Sequence, residues 1–109
     1  LYYGDEIAMP GGGDPDNRRD FPGGFPGDAR NAFTAQGRTA QENDVWNHLA
    51  RLGALRKELK PLRQGQTLDL FDEEQQMAYA RVTETEAVLM VFNNDRKAAN
   101  VAFDVSMIK

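Results

Sequence analysis

TAQENDVWNHLARLGALRKELKP, residues 39–61, carries the clearest helical pattern of the sequence. Its first four residues have the form of a capping box, in which Thr39 and Glu42 each accept a hydrogen bond from the other's backbone N–H group. Apolar residues then recur mostly at three- and four-residue steps, which places one stripe of a helix against a core. Because proline disfavours helical geometry at the residue before it, the sequence predicts a helix from about residue 40 to residue 60, ended by Pro61.

After Pro61 the apolar residues alternate with polar ones instead of recurring at helical spacing. Four runs are typical of strands, at 67–71, 77–82, 87–92 and 100–105. Short polar segments separate them at the spacing of hairpins. The sequence therefore predicts an antiparallel β meander that forms half or more of a sandwich.

The chain before the helix has a different composition. LYYGDEI, residues 1–7, predicts a short strand that ends at a polar edge. Most of the ten glycines and four of the five prolines then lie between residues 9 and 37. Loops of more than about 15 residues are uncommon in compact domains and are usually either functional or disordered. Phe21, Phe25 and Phe33 favour a functional loop, because disordered linkers are poor in aromatic residues.

The composition of the 109 residues restricts the possible partners but leaves the compartment open. No apolar run approaches the roughly 20 residues that span a bilayer, so no membrane role is predicted. A net charge of −4 gives no reason to expect nucleic acid, and a neutral ligand fits better. The absence of cysteine excludes disulfides and thiolate metal sites but leaves the cellular compartment open. The sequence begins with Leu1 and ends on a strand-like run, so both ends are expected to be cuts within a longer protein.

Asp14 and Arg18 are the candidate ligand-binding residues of the long loop. Pro15 stiffens the turn between them, so a carboxylate acceptor and a guanidinium donor can be presented together to vicinal hydroxyl groups. A plain loop salt bridge explains the same pair equally well. Gly11, Gly12 and Gly13 do not match a phosphate loop. Asp14, Asp16 and Asp20 do not match an EF-hand calcium loop, and a looser calcium site is left open. His48 and Trp46 lie on or beside the apolar stripe of the helix, and packing roles are predicted for both.

Two neighbouring motifs near the amino end resemble one known family. Tyr2-Tyr3-Gly4-Asp5-Glu6-Ile7-Ala8-Met9 is followed by Gly13-Asp14-Pro15-Asp16-Asn17-Arg18-Arg19. Together they resemble the end of the catalytic barrel in the α-amylase family, glycoside hydrolase family 13, and look most like its bacterial α-amylase, neopullulanase and cyclomaltodextrinase group. The first 20 residues carry this resemblance specifically, and the remainder matches in order and character.

The resemblance implies an α+β fragment of a larger enzyme. Residues 1–62 would be the last strand, the sugar-binding loop and the last helix of a (β/α)8 barrel. Residues 63–109 would be an incomplete C-terminal domain of antiparallel β-sandwich type. Asp14 and Arg18 would hold a glucose unit at the donor-side subsite two units from the cleavage end. The parent protein would then act on α-1,4-glucans or maltooligosaccharides by a retaining mechanism.

The same resemblance implies that the catalytic carboxylates precede Leu1. Retaining hydrolysis needs an acid and a nucleophile about 5 Å apart, and no residue of this chain takes either role, so the isolated chain is predicted to be inactive. No cofactor or metal site is predicted, and a structural calcium ion in the parent protein is left open.

Without its barrel neighbours, the segment of residues 1–38 is expected to be displaced, mobile or paired with a second copy of the chain, while the helix packs against the β domain. Two further hypotheses give this chain no part in catalysis. The β domain could be purely structural, or it could be a carbohydrate-binding module. A binding module would need exposed aromatic residues on one sheet face, and for its candidates, Tyr79, Phe92 and Phe103, burial in a core is expected instead.

Overall fold

The helix that the capping box predicts is present in the computed structural model, which describes residues 1–108. Helix α1 comprises Ala40–Glu58. The Thr39 N–H donates to Glu42 Oε2 at 2.8 Å, and the Glu42 N–H donates to Thr39 Oγ1 at 3.2 Å, so the capping box is confirmed. A second short helix, α2, comprises Pro61–Gln64. Proline fits the first turn of a helix because its missing N–H would have no helical partner there.

Three of the four predicted strands form one antiparallel sheet. Strand β1 comprises Gln66–Asp72, β2 comprises Gln76–Val82 and β3 comprises Ala87–Asn93, in the spatial order β1-β2-β3. The pairing of β1 with β2 shifts register between Asp69 and Phe71, whereas β2 and β3 pair in continuous register. A full sandwich needs a second sheet. The described residues form only a single three-stranded layer.

The prediction of a strand at residues 100–105 is wrong. That segment is irregular and ends in a turn closed by a hydrogen bond from the Ile108 N–H to the Val105 carbonyl, at 2.9 Å. Asp104 accepts hydrogen bonds from the Ser106 N–H and hydroxyl, both at 2.8 Å, and the backbone bond lowers the pKa of Asp104 most. Such local bonds give the backbone an alternative to a sheet ladder.

The prediction of a strand at residues 1–7 is also wrong, and the structure does not show the barrel strand that the resemblance implies there. Asp5–Ile7 forms one turn of 3₁₀ helix. The Tyr2 N–H donates to Asp5 Oδ2 at 2.7 Å, and the Gly4 N–H donates to Glu6 Oε2 at 2.8 Å. Gly4 adopts a φ of 94°, a left-handed conformation that glycine tolerates best. The acidic pair therefore folds the segment back on itself instead of ending a strand.

The chain forms two compact units, Leu1–Gly53 and Ala54–Lys109. Ile7 and Ala32 are buried in the first unit, whereas Ala78 and Ala80 are buried in the second. The division expected between residues 62 and 63 concerns domains of a longer protein, and it stays a prediction. No helix within residues 1–108 has both the length and the apolar character needed to cross a membrane.

Candidate functional site in the long loop

The loop that carries Asp14 and Arg18 is folded into a compact turn. The Asp16 N–H donates to the Gly13 carbonyl at 2.7 Å, and the Arg18 N–H donates to the Pro15 carbonyl at 3.0 Å. These bonds lead into a 3₁₀ turn at Asp16–Arg18. The turn brings residues four apart in the sequence onto the same side of the loop.

Asp14 and Arg18 are paired and face solvent. Arg18 Nη2 donates a hydrogen bond to Asp14 Oδ1. The side chains of Arg18 and Asp14 are 69% and 65% exposed, respectively. Because a carboxylate has two acceptor oxygens and a guanidinium has five N–H donors, both groups keep hydrogen-bonding capacity for a ligand. The structure thus brings the two predicted residues together and leaves both accessible.

A second ion pair lies beside the first and was not predicted from the sequence. Arg19 donates from Nε to Asp16 Oδ1 at 2.7 Å and from Nη2 to Asp16 Oδ2 at 2.6 Å. The hydrogen bonds from Arg19 lower the pKa of Asp16 and keep its carboxylate ionised. This planar, bidentate contact holds one edge of the turn. The i,i+3 spacing of Asp16 and Arg19 is the signal that could have revealed it.

A small cleft of ≈ 190 Å³ lies next to this turn. The Tyr3 hydroxyl donates to the Arg19 carbonyl at 3.1 Å, and the rings of Tyr2 and Tyr3 lie 4.7 Å apart between centroids. Asn17 also lines the cleft, but Asp14 and Arg18 do not. The cleft therefore offers aromatic surface and an amide beside the exposed ion pair. Its lining residues are Tyr2, Tyr3, Gly4, Asp5, Met9, Pro10, Gly11, Gly12 and Asn17.

The remainder of the loop is fastened to the start of α1 by two arginines. Arg30 donates to both carboxylate oxygens of Glu42, at 2.7 and 2.8 Å. Arg38 donates to the carbonyl of Ala32 at 3.0 Å, and its guanidinium lies 4.1 Å from the centre of the Trp46 ring. These contacts give the loop a defined path back to the helix.

Glu42 is the buried charged residue of the first unit, and its environment suits structure rather than catalysis. The hydrogen bonds from Arg30, followed by the backbone bond from Thr39, lower the pKa of Glu42. A general acid in glycoside hydrolysis needs a raised pKa. Glu42 is therefore held ionised as an acceptor, which is the opposite of that requirement.

The packing roles predicted for Trp46 and His48 agree with the structure to different degrees. Trp46 is half-buried and is covered on one side by Arg38, whereas His48 is exposed, so the packing role predicted for His48 is wrong. Within residues 1–108, no group of three or more His, Cys, Asp or Glu side chains is arranged to hold a metal ion.

Comparison with known proteins adds a relative that the geometry alone does not identify. No protein-family model matches the chain. The chain is 30% identical over 107 residues to a cyclomaltodextrinase from Geobacillus thermopakistaniensis (strain MAS1). The alignment covers 96% of this chain but 16% of the relative, so the similarity concerns a small part of that protein. It supports a relationship to the α-amylase-family glycosidases, a class of hydrolases, and no finer assignment.

Proposed function

We propose that this chain is the carboxyl-terminal portion of a glycoside hydrolase that acts on α-1,4-glucans or maltooligosaccharides by a retaining mechanism. The observation that carries the proposal is the similarity to a cyclomaltodextrinase over 107 residues. In this proposal the parent protein supplies the catalytic carboxylates. The chain itself contributes a sugar-binding loop and a structural β domain, and by itself it is inactive.

The role proposed for Asp14 and Arg18 follows from their hydrogen-bonding capacity. The Asp14 carboxylate accepts from one sugar hydroxyl, while Arg18 donates to the oxygen of the neighbouring hydroxyl. Their mutual ion pair keeps the two groups close together before a sugar arrives. Since both side chains are largely exposed, a sugar can reach them without displacing buried structure. The bidentate Asp16–Arg19 pair supports this geometry by bracing the same turn.

The test of this role is Arg18→Ala in the full-length enzyme, assayed by kcat/KM on maltooligosaccharides. A hydrogen bond that involves a charged group contributes about 1–3 kcal/mol, so kcat/KM should fall by roughly 5- to 150-fold. Arg51→Ala is the matched control, because Arg51 is an exposed arginine on α1. Equal values of kcat/KM for the two variants would remove Arg18 from the sugar site.

The proposed inactivity of the isolated chain has a separate test. The 109-residue chain is incubated with maltoheptaose and with a cyclic maltodextrin, and reducing ends are measured over time. No release above the buffer rate is expected, because retaining hydrolysis requires a paired acid and nucleophile. Release that persists after repeated purification, and that an inactivating variant of the chain abolishes, would overturn this part of the proposal.

A further inference from the structure

Two aromatic side chains share one face of the β sheet. Tyr79 pairs with Met90 across β2 and β3, and Met77 pairs with Phe92, so Tyr79 and Phe92 are diagonal neighbours on the same face. Their ring centroids lie 5.8 Å apart and their planes differ by 12°. Phe92 is 49% exposed and Tyr79 is half-buried. The burial expected for these two residues is therefore wrong for Phe92.

A polar rim surrounds the two rings on the side of the β1–β2 hairpin. A cleft of ≈ 430 Å³ is lined by Tyr79, Phe92 and Met77 together with the hairpin residues 72–76 and Asn94. We name this cleft the hairpin patch. Three of its residues, Asp72, Glu73 and Glu74, carry exposed carboxylates. The patch thus combines a flat apolar surface with an edge of hydrogen-bond acceptors.

The amide groups of the hairpin patch hold one another in place. The Asn94 side chain donates from Nδ2 to Gln75 Oε1 at 3.2 Å, and its backbone N–H donates to the Gln75 carbonyl at 2.8 Å. Gln76 donates from Nε2 to Asn93 Oδ1 at 3.0 Å. These bonds link β3 to the hairpin and orient planar polar groups beside the rings. An ordered rim loses less conformational entropy when a ligand binds.

The other face of the sheet carries the buried alanines of β2 together with the exposed side chains of Leu89 and Val91. Ala78 and Ala80, whose side chains point away from Tyr79, are buried. Phe71 pairs with Ala78 and so shares that face, and its ring centroid lies 6.3 Å from that of Phe103. The chain therefore covers part of this other face itself, whereas the hairpin patch combines a polar rim with an exposed ring.

We propose that the hairpin patch is a carbohydrate-binding site for a neutral oligosaccharide, separate from the Asp14–Arg18 loop. A pyranose has an apolar face that stacks on an aromatic ring and hydroxyl groups at its edge that donate to carboxylate and amide oxygens. The three carboxylates disfavour anionic ligands such as nucleic acid. A purely apolar ligand would desolvate the rim without satisfying it. The narrower assignment to an α-1,4-glucan rests on the proposed function.

The test is an NMR titration of the 109-residue chain with maltoheptaose, and separately with cellohexaose as a β-linked probe. Saturable shifts are expected for the backbone amides of residues 72–76 and 92–94 with maltoheptaose. Phe92→Ala should weaken this binding roughly two- to tenfold, the loss expected for one aromatic contact of about 0.5–1.5 kcal/mol. Phe92→Leu keeps apolar bulk without a ring, so the same loss in this variant separates stacking from misfolding.

Val91→Ala is the matched control, because Val91 is an exposed apolar residue on the other face of the same strand. It should leave the maltoheptaose affinity unchanged. The proposal is overturned if neither sugar shifts these amides, if Val91→Ala weakens binding as much as Phe92→Ala, or if the shifts follow protein concentration, as they would for a second copy of the chain. Shifts with cellohexaose alone would keep the sugar site and overturn the α-glucan assignment. Arg18→Ala should leave the shifts unchanged, so failure of the loop site is distinguishable from failure of the patch.

Discussion

Glu42→Ala removes the carboxylate that joins the long loop to the start of α1. Glu42 is 9% exposed and accepts from Arg30 at 2.7 and 2.8 Å and from the Thr39 N–H at 2.8 Å. The substitution therefore removes one of the two capping-box hydrogen bonds and the link between residues 30 and 42 in one step, while the backbone N–H of residue 42 keeps its acceptor, Thr39 Oγ1. We expect the first unit to lose stability while the second unit keeps its sheet.

The magnitude follows from these contacts. Loss of the hydrogen bond from the Thr39 N–H to Glu42 costs about 1 kcal/mol. The ion pair adds only about 1 kcal/mol, because the Arg30 side chain is 40% exposed and water screens it. The free energy of unfolding of the first unit should thus fall by up to about 2 kcal/mol, because both contacts are made by the same carboxylate and their contributions are not strictly additive.

Trp46 makes this change measurable. It is the single tryptophan of the chain and lies in the first unit, so its fluorescence during urea unfolding reports on that unit. Glu58→Gln is the control, because Glu58 is an exposed carboxylate near the end of the same helix. A Glu42→Ala variant that unfolds at the same urea concentration as the Glu58→Gln control would contradict this prediction, since the contacts of Glu42 with Arg30 and Thr39 would then contribute nothing to stability.

Three further predictions concern the same unit. The pKa of Glu42 is lowered on folding, so the stability that its carboxylate contributes is complete above the ordinary glutamate pKa of 4.5 and is lost as the pH falls through the lowered value. The urea midpoint measured by Trp46 fluorescence should therefore drop in acid, and Glu42→Gln should make that drop smaller. Gly37→Ala should destabilise the unit by more than about 2 kcal/mol in the same assay, because the new Cβ would lie within 3 Å of the Asn31 backbone and the loop must move. Gly13→Ala is the control, because its Cβ would meet open space. Gly53→Ala should stabilise α1 by up to about 1 kcal/mol, seen as a higher thermal midpoint by circular dichroism, because Gly53 is in the helix and its Cβ would contact nothing; an unchanged or lower midpoint would contradict this.

Part of the candidate site could be predicted from the sequence, and part could not. The proximity of Asp14 and Arg18 was predictable, because the turn that joins them is local. Their accessibility was not, because exposure depends on the whole fold. The Arg30–Glu42 link was missed since its partners are separated by a long loop. The shared face of Tyr79 and Phe92 depends on the register between two strands, which the alternating pattern alone does not define.

The amino-acid pattern alone predicts α1, its capping box and the three strands β1–β3, because the helix depends on neighbours within a few residues and each strand meets its partner across a short turn. Residues 1–7 and 100–105 have strand-like composition but are not strands, and only the folded structure shows this. A strand needs a partner whose backbone groups satisfy its own. At both ends local carboxylates, on Asp5, Glu6 and Asp104, accept from the backbone instead, and the chain folds into turns.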